Sequence, residues 1–588
     1  MQKAKQGRSS FVHQLKSSLI TFDTFHILVI FLLTGVPTIC NAWIDGTPYF
    51  FDHFPNTISF PSAPAQPNAP QLAVGDRRSF FSINFKTHEQ YTLQTTLREI
   101  GKFCYIFVED SQWRRTVHPT TVEAIRRAFD DSVPADASRG IYQIQTTLFG
   151  PPPDTDGDEK IYLLLLDIRD GATVGSGFIA GFFSPIDQQR GVLRHPELGV
   201  PIRSNERDML YIDTHPLNVG STEGLGVVAH EFQHLIHWRH DRDEEVWVNE
   251  GCSDYAMFLC GYPPQGHVAQ FEKRPHVSLT RWPEGSRSQL AHYGASYLWM
   301  LYLDEHYGGP GTVAAIVRNH GNGIVGINNA LNSRGATKTF PAVFADWKIA
   351  NFLDDTEFAN GLFGYRNQEL NLRPRRTHRS YPTAVDGNVL DVYATHYITF
   401  SANGGDSGLS LTFVGDSRQS YDVKVIAFQG GAPIAVNNMP LTDTGRGHLI
   451  ISNFGSKVEE VVFVPSVQAK DNILFPGGSA SSYDYNAKLG DKVEFRTWVL
   501  PNPVHPRYQD IIAIPSDGIG ATPPLITVTI GNTVITSGQP MTSVQDGVIY
   551  THSFYLSPEF SPEDVKWQIS FFDEVVGEGR LGNEGIGK

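Results

Sequence analysis

Cysteine is scarce in this chain, with four in 588 residues. Cys104, Cys252 and Cys260 are too few and odd in number for a disulfide framework. Cys252 and Cys260, eight apart on one predicted helix, stand roughly 12 Å apart by helical rise, too far to bridge. They read as small buried apolar side chains. Positive charge is also in deficit, with 47 Lys and Arg against 62 Asp and Glu and a net charge of −15. That balance argues against nucleic acid or an anionic membrane as the main partner. The apolar run at 27–33 falls well short of the roughly 20 residues needed to span a bilayer, and no second such run follows. No strict repeat is present, which excludes a solenoid.

What is present begins with a basic N-terminus (Lys3, Lys5, Arg8, Lys16), the apolar run, Gly35, Pro37 and a small-residue exit at Cys40-Asn41-Ala42. This layout predicts a signal peptide over 1–42, cleaved after Ala42, and a secreted or extracellular protein, with the cell surface as a variant. Ile39 before Cys40 is larger than a lipoprotein signal wants. Residues 43–78, rich in Pro, Ala, Ser and Asn, predict an extended lead-in. From 79 to 225 the β-branched and aromatic runs FFSINF, CYIFVED, KIYLLLLDI, GFIAGFF and MLYIDT predict strands, interrupted by one helix at 120–129. From 226 to 355 the apolar spacing turns helical. A strand-rich half feeding a helical half predicts an α+β unit over 79–365. The basic segment RPRRTHR, 373–379, marks a boundary. Short strands then predict a β-sandwich over 381–470 and, after FPGGSASS, an Ig-like one over 488–588, with Gly531-Asn532 as a two-residue hairpin turn.

The chemistry concentrates in AHEFQHLIHWRH, 229–240, where His230, His234, His237 and His240 surround Glu231. A helix capped at Ser221 or Thr222 puts His230 and His234, four apart, on one face for one metal ion. Glu231 beside them can take the proton of an attacking water, the HExxH arrangement of a zinc hydrolase. About four random chains in a hundred of this histidine content would carry such a motif, so a third ligand must decide. A continuation HExxHxxGxxH would use His240, but it needs glycine where His237 stands. On a continuing helix His240 lies about 600° past His234 and faces elsewhere. His237 and His240 are therefore read as surface or interface residues. The other route is WVNEGCSDY, 247–255, where Glu250 on a second helix completes two histidines and one glutamate. Asp254, one turn later, can accept the outer N–H of a ligating histidine.

Asn249-Glu250 followed by Ser253-Asp254 is similar to the NExxSD segment of thermolysin-like enzymes, and the region resembles a gluzincin metallopeptidase of the hyicolysin-like kind. The resemblance covers about half the chain. It implies Glu250 as third ligand, Asp254 as the residue orienting His230, and, in AHYGASYLWMLYLDEHYGG, Tyr293 as a hydroxyl donor to the oxyanion, with His292 as its rival. The GxMEN strand of gluzincin aminopeptidases is missing, which favours an endopeptidase.

The expected protein is thus a secreted zinc metalloendopeptidase with one Zn2+ held by His230, His234 and Glu250, Glu231 as general base, and a protein or peptide as substrate. GFIAGFF is a candidate sheet edge for pairing with that substrate. Asp154, Asp156 and Asp158 around Gly157 suit Ca2+, though the distal glutamate of an EF-hand is missing. The sandwiches could take a surface or matrix ligand. The rival reading is a cell-surface binding protein that uses a metallopeptidase-like domain as scaffold.

Overall fold

In the computed structural model strands predominate over 77–213 and helices over 222–353, and a second helix, Ile141–Phe149, joins the one expected at 120–129 within the strand-rich part. The structure describes residues 43–54, 72–172, 177–195, 199–283, 286–405, 407–468, 480–490, 495–502, 504–505, 507–515, 524–545, 549–571 and 574–580. The expected signal peptide and residues 55–71 of the lead-in lie outside these. The described residues fall in one compact unit, 41–588.

In chain order the first part comprises β1 (Trp43–Asp45), α1 (Thr47–His53), β2 (Arg77–Asn84), β3 (Glu89–Ile100), β4 (Cys104–Glu109), α2 (Pro119–Asp130) and α3 (Ile141–Phe149). Then come β5 (Ile161–Leu166), β6 (Phe178–Phe183), the hairpin β7 (Val192–Arg194) and β8 (Pro201–Arg203), and β9 (Met209–Asp213). Seven of these strands form a mixed sheet in the order β1-β6-β9-β5-β4-β3-β2. The central strand β5, sequence IYLLLL, pairs parallel with β4 and β9 and is buried along its whole length. A strand covered on both faces must be apolar at every position, which is why it does not alternate. Leu163 and Leu165 pack with Phe129 and Phe232 on the helical face, while Tyr162 and Leu164 pack with Phe50 and Phe54 on the other.

The lead-in expectation is corrected at its start. Trp43, Asp45, Thr47, Phe50 and Phe54 are buried, and β1 pairs parallel with β6. The proline-rich composition begins only after these residues, so an average over 43–78 hides a short packed piece.

The helical part runs α4 (Thr222–His240), α5 (Val246–Leu259), α6 (Gln265–Lys273), α7 (Ser286–His306), α8 (Pro310–Val317), α9 (Gly323–Ser333) and α10 (Phe340–Leu353). Close helix approach rests on glycine: a Cβ at Gly251 of α5 would lie 2.8 Å from the Ser296 carbonyl oxygen of α7. Among the described residues no helix is long and apolar enough to cross a membrane. Cys104, Cys252 and Cys260 are free and buried.

Two pairs of β-sheets follow. A five-stranded sheet (Arg376–His378, Ile398–Ser401, Glu460–Gln468, Ser420–Gln429, Ala432–Asn438) and a four-stranded one (Thr383–Leu390, Ser481–Leu489, Ser407–Gly415, Arg446–Phe454) share one core, with Phe400 and Phe463 meeting Phe413 and Tyr485. The predicted sandwich boundaries therefore move. Arg376–His378 of the basic segment is a strand of this sandwich, and Ser481 and Ser482, the last two residues of FPGGSASS, open its last strand, Ser481–Leu489, while 475–479 lie outside the described residues. Two four-stranded sheets from Phe495 onward share a second core that includes Ile511, Val528, Phe554 and Trp567. The Gly531-Asn532 turn closes the hairpin, Ile530 pairing with Thr533 and Gly531 at φ 58°.

Candidate metal centre

The Ser221 hydroxyl caps α4 by accepting from the Gly224 N–H at 3.2 Å, and the helix runs unbroken through His240. With no glycine to turn the chain at 237, His230 and His234 stay on one face and His240 leaves it. Of the surface or interface positions expected for His237, the surface one does not hold. The residue is fully buried, 3.4 Å from the Gln233 amide, and burial pushes its imidazole down to about 3. The His240 ring lies against Gly150.

His230 Nε2 and His234 Nε2 stand 3.1 Å apart, Glu250 Oε2 lies 3.2 Å from the first and 3.7 Å from the second, and Asp45 Oδ2 is 3.1 Å from His234 Nε2. Ligands that a tetrahedral zinc ion holds at about 2.0–2.1 Å stand about 3.3 Å from one another. The four atoms therefore have the spacing of a coordination shell. Two Nε2 atoms cannot satisfy each other while both outer Nδ1 positions are spent, and here they are. His230 Nδ1 is 3.0 Å from Asp254 Oδ1, and His234 Nδ1 is 2.8 Å from Asn249 Oδ1. Asp254 thus stands beside the outer nitrogen of His230. Such outer partners fix the tautomer that turns Nε2 toward a metal. Asp45 Oδ2 has no hydrogen-bond partner among the described residues. The donor set fits zinc: two imidazoles, two carboxylates, all buried.

Glu231 is fully buried beside this cluster, and its Oε1 has no partner among the described residues. Burial and then the neighbouring Asp45 charge hold its carboxyl well above the usual range. Burial acts against ionising Asp45 too, yet His234 beside it keeps that carboxyl below its usual range. The strand β6 runs over Glu231 so closely that a Cβ at Gly181 would lie 2.7 Å from Oε1.

Tyr293 on α7 is fully buried, and its hydroxyl oxygen accepts the Asp45 N–H at 3.0 Å. Its ring stacks on His267, whose Nδ1 lies 2.7 Å from Asp254 Oδ2 and whose Nε2 lies 3.2 Å from the Trp43 carbonyl oxygen. His292 instead bonds the Ser278 carbonyl through Nδ1 at 2.9 Å, and burial pushes it down to about 4. Tyr293, not His292, faces the cluster. Sequence reasoning missed Asp45 and His267. The WID triplet after the expected signal peptide and the second oxygen of Asp254, which needs a partner of its own, are the only signals for them.

A second acidic group differs from the expected one. Asp154, Asp156 and Asp208 converge, while Asp158 turns away to accept the Tyr105 hydroxyl at 2.9 Å. Asp208 is buried, Oδ1 lacks a partner among the described residues, and burial pushes the carboxyl up to about 7.

No family model matches the chain. The chain is 23% identical over 312 residues to the neutral metalloprotease ShpI of Staphylococcus hyicus. This chain is a distant relative of a metalloprotease. The match takes in 50% of this chain and 65% of that protein, just under two thirds of the relative's length. Two solved structures resemble parts of the chain weakly. The pre-peptidase C-terminal domain of a Bacillus anthracis collagenase matches at 13% identity over 20% of this chain and all of that one, with a TM-score of 0.14. A Bifidobacterium dentium β-glucuronidase matches at 7% identity over 32% of this chain and 38% of that one, with a TM-score of 0.12. Neither bears on function.

Proposed function

We propose that the chain is a zinc-dependent metallopeptidase, acting as an endopeptidase, with His230, His234 and Glu250 as ligands. The observation that carries this reading is the convergence of their ligand atoms at zinc-like spacing beside the Oε1 of Glu231, which has no hydrogen-bond partner among the described residues. When bound, zinc supplies Lewis acidity to a water molecule and to the substrate carbonyl. The chain's own residues supply the rest. Glu231 takes the proton of the attacking water and delivers it to the leaving amine. Tyr293 donates its hydroxyl hydrogen to the developing oxyanion. Asp254 and Asn249 hold the two imidazoles in the ligating tautomer. The strand β6, passing over Glu231, offers its backbone to an extended peptide.

The test uses the Asp45→Ala chain, in which the fourth position is free. It is expected to hold one zinc and to cut a mixed peptide library at internal bonds. Adding Glu231→Gln should keep the zinc and abolish cleavage. Full activity in that double variant would falsify the general-base assignment. A zinc-loaded Asp45→Ala chain that cuts nothing would favour a binding protein built on a metallopeptidase-like scaffold.

The Asp154, Asp156 and Asp208 group supports a second, structural cation, with Ca2+ matching its all-oxygen chemistry. Millimolar Ca2+ is expected to raise the Tm of the wild type and not of Asp208→Asn. An equal rise in both would remove the site.

A further inference from the structure

Catalytic zinc sites keep one position open, whereas a site closed by four protein ligands does no hydrolysis. The cluster here is closed, because Asp45 supplies the fourth atom. Resting on the metallopeptidase reading, we propose that residues 43–54 hold the chain latent, with Asp45 as a displaceable fourth metal ligand and β1 filling the place on β6 that a substrate would take.

Four observations on this segment converge. Its pairing with β6 is that of a docked peptide: Trp43 faces Phe178, Ile44 faces Ile179, and the Gly46 N–H donates to the Gly181 carbonyl at 2.9 Å. Its carboxylate lies at the metal position through Oδ2, while Oδ1 is held by the Thr47 N–H and hydroxyl, both at 3.0 Å. It engages the proposed catalytic groups, the Asp45 N–H on Tyr293 and the Thr47 hydroxyl 3.5 Å from Glu231 Oε2. Its Trp43 covers the metal ligand His230, ring centroids 5.5 Å apart. The group it presents to the metal is a side-chain carboxylate and not a peptide carbonyl. The segment therefore blocks the site without offering a bond to cut. Behind this tip, Phe50 packs against Phe85 and Phe182 and Phe54 against Phe50 and His195, so the tip can leave the metal while this anchor stays. Asp45 is the link most easily replaced, since it comes from a three-residue edge strand and the other three ligands come from helices of 19 and 14 residues.

The inference is tested on the full chain by comparing the wild type with Asp45→Ala, Asp45→Asn and Gly46→Ala. The last keeps the carboxylate but brings a Cβ to 2.9 Å from Phe85 Cζ, loosening the docking. Two readings are taken, peptide hydrolysis and binding of acetohydroxamate, a zinc chelator that needs the fourth position. Both Asp45 variants should keep one zinc, bind acetohydroxamate at least tenfold more tightly and gain at least tenfold in kcat/KM. Gly46→Ala should fall between them and the wild type, and it decides the matter if the Asp45 variants do not fold. Acetohydroxamate affinity unchanged in every variant overturns the latch, as does loss of zinc from the Asp45 variants, which makes Asp45 a permanent structural ligand. Tighter acetohydroxamate with no hydrolysis keeps the displaceable ligand but overturns the peptidase reading, so the two failures are distinguishable.

Discussion

Two carboxylates reach the same cluster by different means. Glu250 arrives on α5, which packs against both α4 and α7 and carries Asn249, Ser253 and Asp254 along with it. Asp45 arrives on an edge strand whose sheet partner among the described residues is β6. A ligand carried by interlocked helices cannot move without repacking a core that is close-packed on every side. A ligand on an edge strand can be exchanged for another peptide, because the hydrogen bonds it gives up are ones any backbone can make. One side of the cluster is built to stay and the other can leave.

The comparison breaks most visibly at the permanent ligand. Glu250→Ala should lose zinc and lower hydrolysis by at least about a thousandfold, since the Lewis acid goes with its ligand. Asp45→Ala should do the reverse and gain activity. Zinc content by mass spectrometry alongside peptide turnover separates them, and parallel losses in the two variants would erase the distinction. One step outward, Asp254→Ala removes the acceptor shared by His230 and His267. Zinc affinity should fall about 10- to 100-fold, read by competition with a chelator of known affinity. An unchanged affinity would mean that packing alone aims the His230 ring.

The two sides also differ in how far the amino-acid sequence reveals them. His230 and His234 are legible because their relation is local, four residues on one helix. Glu250 is legible because a second motif lies within twenty positions of the first. Asp45 meets His234 across nearly two hundred residues, and nothing in a three-residue strand encodes that partner. β3 escapes the sequence for a local reason, its Gln, Thr, Arg and Glu residues diluting the strand alternation. Distance explains the strand Ser481–Leu489 too, which composition sets apart and which long-range pairing with Ser407–Gly415 joins to the sandwich.

The helical side owes part of its rigidity to close approach. Gly251→Ala on α5 would press on the Ser296 backbone, which cannot swing aside as a side chain would. Overpacking of this kind costs roughly 1–3 kcal/mol. The unfolding midpoint in urea should drop accordingly, and a drop near zero would show that α5 and α7 slide more freely than their interlocking implies.

The smallest effect lies where the helical part meets the first sandwich. Lys348 of α10 is fully buried, its Nζ donating to Ser466 Oγ at 2.7 Å and to the Asp422 and Val464 carbonyls, and pairing with Asp422 Oδ2 at 2.6 Å. Burial outweighs the Asp422 charge and pushes the amine down to about 8, against an ordinary 10.5. The folded form therefore gives up this proton before the unfolded form does. Between those two values the unfolded chain binds more protons, and stability from this group rises with pH. It is fully present above about 10.5 and lost as pH falls through about 8. Relative to Lys348→Met, the wild type should gain in Tm from pH 8 to pH 10, by less than either substitution effect above. A wild-type lead that shrinks over that range would mean that the pair with Asp422 outweighs the cost of burying the charge. The contact between α10 and the sandwich would then be fixed electrostatically, and not by packing as the helix-borne ligands are.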